Sequence, residues 1–290
     1  MKSGKFLATL LSLLMLLSLA LGGCSSATDD TDSPDTNNNN NNPPASETPT
    51  TPTGSQLIAS ILAASPNITS FNTTSVIEMT IQVSGMSVRT VMTTNGQEDL
   101  SNQKAHLTTS TIMTGELEST LEMEMYLIDS IQYFKITNSD QYTGIQLNTW
   151  YKMLMDAQTQ NQNWDSQTQQ NDYLFSKSTL TVDGSETING VSCWKVTITP
   201  NLEELIQYLN EQQAVDDPSS ITNPADSLKN IKMTAWIAKD TSFVVKMDMS
   251  MDIVTEGQTL SLVMSISIDN INQPVTITLP PDAVNAIQLG

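Results

Sequence analysis

Beyond residue 24 this 290-residue chain carries a single imidazole, His106, and a single thiol, Cys193. His106 is followed by a Thr/Ser-rich stretch, and no Gly-x-Ser-x-Gly elbow accompanies it. It reads as an exposed strand residue. Cys193 lies between Ser192 and Trp194, with Lys195 the nearest cation in sequence. Without a stronger base beside it, the residue reads as a partly buried, inert thiol. One histidine and one thiol do not make a usual zinc site, and the acidic runs match no EF-hand spacing. Glu116, Glu118, Glu122 and Glu124 fall at strand alternation and read as a solvated face. Glu203 and Glu204 follow Asn201, where they suit the positive end of a helix dipole. There is no glycine-rich phosphate loop. No catalytic residues, no metal and no cofactor are expected, and the chain is not expected to be an enzyme.

The other residue with a chemistry of its own is Cys24. It ends a segment of Lys2 and Lys5, an apolar run Phe6–Leu21 and two glycines. This order resembles a bacterial lipoprotein signal, with Leu21-Gly22-Gly23-Cys24 at the lipobox position. The resemblance implies cleavage after residue 23 and a diacylglycerol on the Cys24 sulfur, which would hold the protein on the extracytoplasmic face of a membrane. Whether the host has one membrane or two stays open. Residues 25–54 contain no aromatic, no large aliphatic and no cationic side chain. Such a composition buries too little apolar area to offset chain entropy, so 24–54 reads as a lipidated cysteine and a disordered tether, reaching about 30 Å.

Loss of residues 1–23 removes two lysines and takes the formal charge from −19 to −21, with 10 basic against 31 acidic residues. That balance repels nucleic acid and anionic headgroups, so no nucleic-acid partner is expected and adhesion falls to the Cys24 lipid. The remaining 55–290 suffices for a single domain with a sizeable core.

That domain reads as an antiparallel sheet wet on one side. Ile77, Met79, Ile81 and Val83 alternate with Glu78, Thr80 and Gln82; Leu121, Met123, Met125 and Leu127 alternate with Thr120, Glu122 and Glu124. In the same way Phe243, Val245, Met247, Met249, Met251 and Ile253 oppose Lys246, Asp248, Ser250 and Asp252. Leu260, Leu262, Met264, Ile266 and Ile268 oppose mainly Ser and Asp. Turn signals stand at Ser84-Gly85, Asn95-Gly96, Thr114-Gly115, Asn189-Gly190, Lys239-Asp240 and Glu256-Gly257. With weaker segments near 105–113, 131–137, 143–152, 178–183, 191–199, 231–238 and 275–279, about eleven or twelve strands are expected. Helices are predicted over Gln56–Ala64 capped by Ser55, after Asn201 with Glu204 as capping-box partner, and over Lys152–Asn171.

The N-terminal helix leading into a long sheet, Trp150-Tyr151-Lys152-Met153, the hairpin Gly184–Thr199 and Trp236-Ile237-Ala238-Lys239-Asp240-Thr241 form an ordered series of short patterns. Together with the closing Asn272-Gln273-Pro274-Val275-Thr276-Ile277 and Pro280-Pro281, they resemble the LolA/LolB and LppX/LprG group of lipoprotein-carrier-like proteins. The resemblance implies an α+β fold: a curved antiparallel half-barrel of about eleven strands, with a few helices over its concave face. It also implies an apolar groove that carries a lipid or acyl chain without catalysis. The tentative lining is Ile77, Met79, Ile81, Met123, Met125, Met247, Met249, Met251 and Met264, because flexible, polarizable methionine adapts to acyl chains of varied shape. The residues alone leave a second reading open, in which the same face is a closed core and the domain is a protein-interaction or folding module whose partner is unknown.

Overall fold

The computed structural model describes residues 51–83, 86–115, 118–140, 145–155, 172–204, 228–255 and 258–289. The signal segment 1–23, Cys24 and most of the tether lie outside them. So do the turn pairs Ser84-Gly85 and Glu256-Gly257 and the helices expected beyond residue 155 and beyond Glu204.

Helix α1 (Gly54–Ala64) opens the described chain. Its cap is Thr53 and not Ser55. The Thr53 side chain accepts from the Gln56 backbone N–H while the Gln56 side chain accepts from the Thr53 N–H at 2.8 Å, a reciprocal capping box. Leu57 and Ile61 form its buried stripe. The strands follow as β1 (Ser70–Val83), β2 (Met86–Asp99), β3 (Lys104–Gly115), β4 (Ser119–Ile128), β5 (Ile131–Ser139), β6 (Tyr151–Leu154), β7 (Ser178–Ile188), β8 (Val191–Pro200), β9 (Leu228–Ala238), β10 (Val244–Thr255), β11 (Gln258–Asp269) and β12 (Ile287–Gln288). They form one open, curved 12-stranded sheet in the order β12-β6-β5-β4-β3-β2-β1-β11-β10-β9-β8-β7. Every neighbour pair is antiparallel except β12 with β6. This is the expected α+β half-barrel.

Several elements depart from the sequence reading. Asn95-Gly96 is not a turn; it lies inside β2, and the chain reverses over residues 100–103. A side chain at Gly96 would meet Leu107 Cδ2 at 2.5 Å and Thr73 Cγ2 at 2.8 Å, so glycine here marks close side-chain packing over a strand. Asp129 and Ser130, with φ of 52° and 63°, make the two-residue turn between β4 and β5 that the sequence did not signal. Asn189 and Gly190, with φ of 50° and 84°, make the expected one between β7 and β8. Lys152–Leu154 belongs to β6 rather than to a helix.

Residues 275–279 form no strand. They belong to a C-terminal strap that crosses the face opposite α1, packing Ile277, Ala283 and Ala286 on Tyr126 and Trp150. Asn272 ties its start down, accepting from the Thr69 N–H at 2.7 Å and donating to the Asn67 carbonyl at 2.9 Å. Its end adds β12 beside β6, with the Ile287 N–H donating to Trp150 O at 2.9 Å.

Candidate functional site

Directly paired residues on neighbouring strands point to the same side of a sheet, so the register divides the sheet into two faces. The face under α1, the inner one, carries the main core cluster, which includes Phe71, Ile77, Met233, Met249, Met264 and Ile266. Its residues fall into rows across the strands. One row runs Met233, Met249, Met264, Ile77, Met92, Thr111, Leu121. The next is Ala235, Met247, Ile266, Ser75, Thr94, Thr109, Met123, Ile136. Beyond it lie Ile268, Thr73, Gly96, Leu107, Met125, Phe134 and then Phe71, Glu98, Ala105, Leu127, Gln132.

These rows split the nine residues proposed from sequence into two groups. Ile77, Met79, Met247, Met249 and Met264 are buried in the core cluster that also holds Leu57 and Ile61 of α1, and Ile81 and Met251 pack against that core. Met123 and Met125 stand apart on β4, where they are half-buried together with Leu121, Leu127 and, on β5, Phe134. The inner face is therefore a closed core from β1 through β9–β11 and a partly open apolar surface over β4 and β5. One facing changes: the register shifts between Val244 and Lys246, so Val244 joins the inner core while Val245 turns to a cluster with Cys193, Trp236 and Ala238. A one-residue irregularity is enough to flip a strand's sides.

Between the two apolar halves runs a polar strip that the sequence reading missed. Thr73, Ser75, Thr94, Thr109 and Thr111 lie on the inner face, with Thr94 Oγ1 and Thr109 Oγ1 hydrogen-bonded at 3.2 Å. Ser75 is 1% exposed and its hydroxyl has no hydrogen-bond partner. Glu98 is 3% exposed, and burial alone pushes its carboxyl up to about 8, so it is mostly neutral near pH 7. The signal was present in the period-2 series Thr90, Met92, Thr94, Gly96, Glu98, but the Asn-Gly pair at 95–96 masked it as a turn.

Lysines and Arg89 on the described strands belong to the outer face, paired with outward residues: Lys104 opposite Asp99, Lys135 opposite Glu124, Lys195 opposite Trp236 and Lys232 opposite Ser250. His106 also faces outward. It is half-buried rather than exposed, stacked on Tyr126 at 4.2 Å, with Nε2 3.2 Å from Glu124 Oε1. Glu124 further accepts from the Tyr126 hydroxyl at 3.1 Å and pairs with Lys135 at 3.1 Å. Burial opposes its ionisation, but those partners prevail and hold its carboxyl below the usual range. Cys193 is fully buried, its thiol donating to Val191 O at 3.3 Å and pushed up by burial. Asn201 caps the helix start as expected, its Oδ1 accepting from the Glu204 N–H at 3.4 Å, but the reciprocal arm differs: Glu204 Oε1 accepts from Asn201 Nδ2 at 3.0 Å, while the Asn201 backbone N–H donates to the Lys177 carbonyl at 3.0 Å.

A notch of about 390 Å³ opens on the far side of the sheet, where β8 and β9 diverge beyond the Ile198–Met233 pair; Ile198, Leu202, Ile231, Lys232 and Met233 line it. Its size is that of a small ligand pocket. Met233 ends the methionine row, so the notch meets the inner core from the side opposite the β4–β5 surface. Among the described residues no helix is long and apolar enough to cross a membrane.

Residues 53–288 match the model of a family described as a family of unknown function. The chain belongs to DUF6612. Among solved structures this DUF6612 chain is similar to LprF from Mycobacterium bovis, at 13% identity and a TM-score of 0.40, covering 78% of this chain and 96% of that one. It is also similar to the Mycobacterium tuberculosis lipoprotein LppX, at 18% identity and a TM-score of 0.40, covering 77% of this chain and 99% of that one. A third is a putative outer membrane lipoprotein-sorting protein domain from Vibrio parahaemolyticus, at 10% identity and a TM-score of 0.23, covering 80% and 97%. These fall in the group that the sequence patterns resemble, and the likeness is one of fold alone. No curated protein matches the DUF6612 chain in sequence.

Proposed function

We propose that this protein binds a lipid or another hydrophobic ligand, without catalysis, on the inner face of its sheet. In this reading a lipid on Cys24 holds it at the extracytoplasmic surface of a membrane. The observation that carries the reading is the half-buried patch of Leu121, Met123, Met125, Leu127 and Phe134, which shares its face with the buried apolar core and is joined to it by rows that cross a strip of hydroxyls. Soluble domains seldom leave adjoining large apolar side chains partly open without a use for them. Met123 and Met125 in the patch, with Met92, Met247, Met249 and Met264 on the rows beside it, supply a compliant surface, since their side chains adapt to chains of different shape. The 30-residue tether after Cys24 gives the domain the reach to meet a ligand at the membrane surface.

Two glutamate substitutions test this. Met249 is 4% exposed within the main core cluster, so Met249→Glu places a carboxyl in a closed core and is expected to destabilise the fold by several kcal/mol. Met125 is half-buried on the open part, so Met125→Glu is expected to leave the circular dichroism of the sheet intact and to lower the binding of Nile red at least fivefold. Unchanged dye binding in Met125→Glu would remove the patch from the ligand site.

A further inference from the structure

The polar strip inside the apolar face needs an explanation that a plain hydrocarbon site does not supply. Ser75 and Glu98 are at least 97% buried by their exposures of 1% and 3%. The Ser75 hydroxyl has no hydrogen-bond partner, and Glu98 meets no cation or donor among the described residues, burial being the whole cause of its upward shift. Polar groups left unmatched in an apolar setting cost about 1–3 kcal/mol each, so they mark places where a partner is missing. Both lie on the inner face: Ser75 is in register with Ile266 and Thr94, Glu98 with Phe71 and Ala105. Across one further strand each row reaches the open patch, through Thr109 to Met123 and through Ala105 to Leu127. Glu98 is the one Asp, Glu, Lys, Arg or His on the described rows.

We infer that Ser75 with the Thr94–Thr109 pair at one end, and Glu98 at the other, form a polar subsite that receives the neutral hydrogen-bonding groups of an extended amphiphile head: hydroxyls, esters or amides. This rests on the inner face being the ligand site. Ser75 and Glu98 stand two rows apart, about 13 Å along the strands, with the Thr73–Gly96 row between them, so each meets its own group at one end of a polar head. A protonated carboxyl and a hydroxyl each donate and accept, so either end can be a donor or an acceptor. An anionic headgroup finds no cation on these rows and meets a carboxyl that can itself ionise. A bare hydrocarbon leaves both polar groups unmatched. A glutamine at position 98 keeps a neutral donor and acceptor, whereas a leucine removes both.

The full chain held in amphipol is titrated with 1-monopalmitoylglycerol, palmitate and hexadecane, each competing with Nile red. The expected result is binding of monopalmitoylglycerol at least tenfold tighter than palmitate. Glu98→Leu and Ser75→Ala should each bring that ratio towards one while hexadecane still displaces the dye, and Glu98→Gln should retain it. Gln97→Leu, on the exposed outer face, is the control and should not alter it. If all three probes compete alike in the wild type, or if Glu98→Leu keeps the ratio, the subsite is wrong and the apolar groove stands. If none of the probes displaces the dye, the groove fails and the subsite with it.

Discussion

Burial lifts the Glu98 carboxyl from an ordinary 4.5 to about 8, and this sets a pH dependence of stability with a definite direction. The folded chain keeps the proton up to about pH 8, while the unfolded chain gives it up near 4.5. The stability associated with this residue is thus full below the lower value, falls as pH rises, and is lost once pH passes the upper one. At pH 7 the loss is about 3 kcal/mol. Glu98→Gln has no such titration. Urea unfolding at pH 5, 7 and 8.5 should show the variant gaining on the wild type by about 4 kcal/mol over that range, and parallel curves would mean that Glu98 is solvated. Gly96 makes the complementary point about reading single residues. An Asn-Gly pair is a strong hairpin signal. Only the tertiary packing of Leu107 and Thr73 over the missing side chain shows why it sits in mid-strand.

At the level of elements, the cap of α1 gives a direct test of local chemistry. Thr53→Ala removes the side chain that accepts from Gln56 and should cost about 1 kcal/mol, while Ser55→Ala, one residue inside the helix and exposed, should cost almost nothing. Thermal melts of the two variants read this, and a larger shift for Ser55→Ala than for Thr53→Ala would place the cap at Ser55. Long one-side-wet strands were legible in the sequence because alternation over eight or more residues has no competing explanation; β1, β4, β10 and β11 all follow it. The bulge near Val245 was not, since a single extra residue leaves composition untouched. The strap over Tyr126 and Trp150 reads like a strand locally, and its two-residue β12 is set by a parallel pairing with β6 more than 130 residues earlier. Of the candidate lining, the facing of Met247, Met249, Met264, Met123 and Met125 was legible as alternation. Which of them are closed over in the core cluster and which stay half-open depends on tertiary packing, and alternation carries no record of that.

At the scale of the whole sheet, charge is sorted by face: on the described strands the charged side chains other than Glu98 occupy the outer side, and the inner side grades from a closed methionine-rich core through hydroxyls to an open apolar patch. Such a gradient suits an elongated amphiphile better than a compact polar ligand, with an apolar part on β4 and β5 and a polar part at Ser75 and Glu98. Native mass spectrometry of the full chain, released gently from the membrane of the cells that make it, tests the central claim most directly. The account predicts a population heavier than the mature protein by a discrete, non-covalently held hydrophobic molecule, recoverable by organic extraction and diminished in Met125→Glu. A spectrum containing only the ligand-free mass, from preparations that still bind to and elute from the membrane normally, would contradict it.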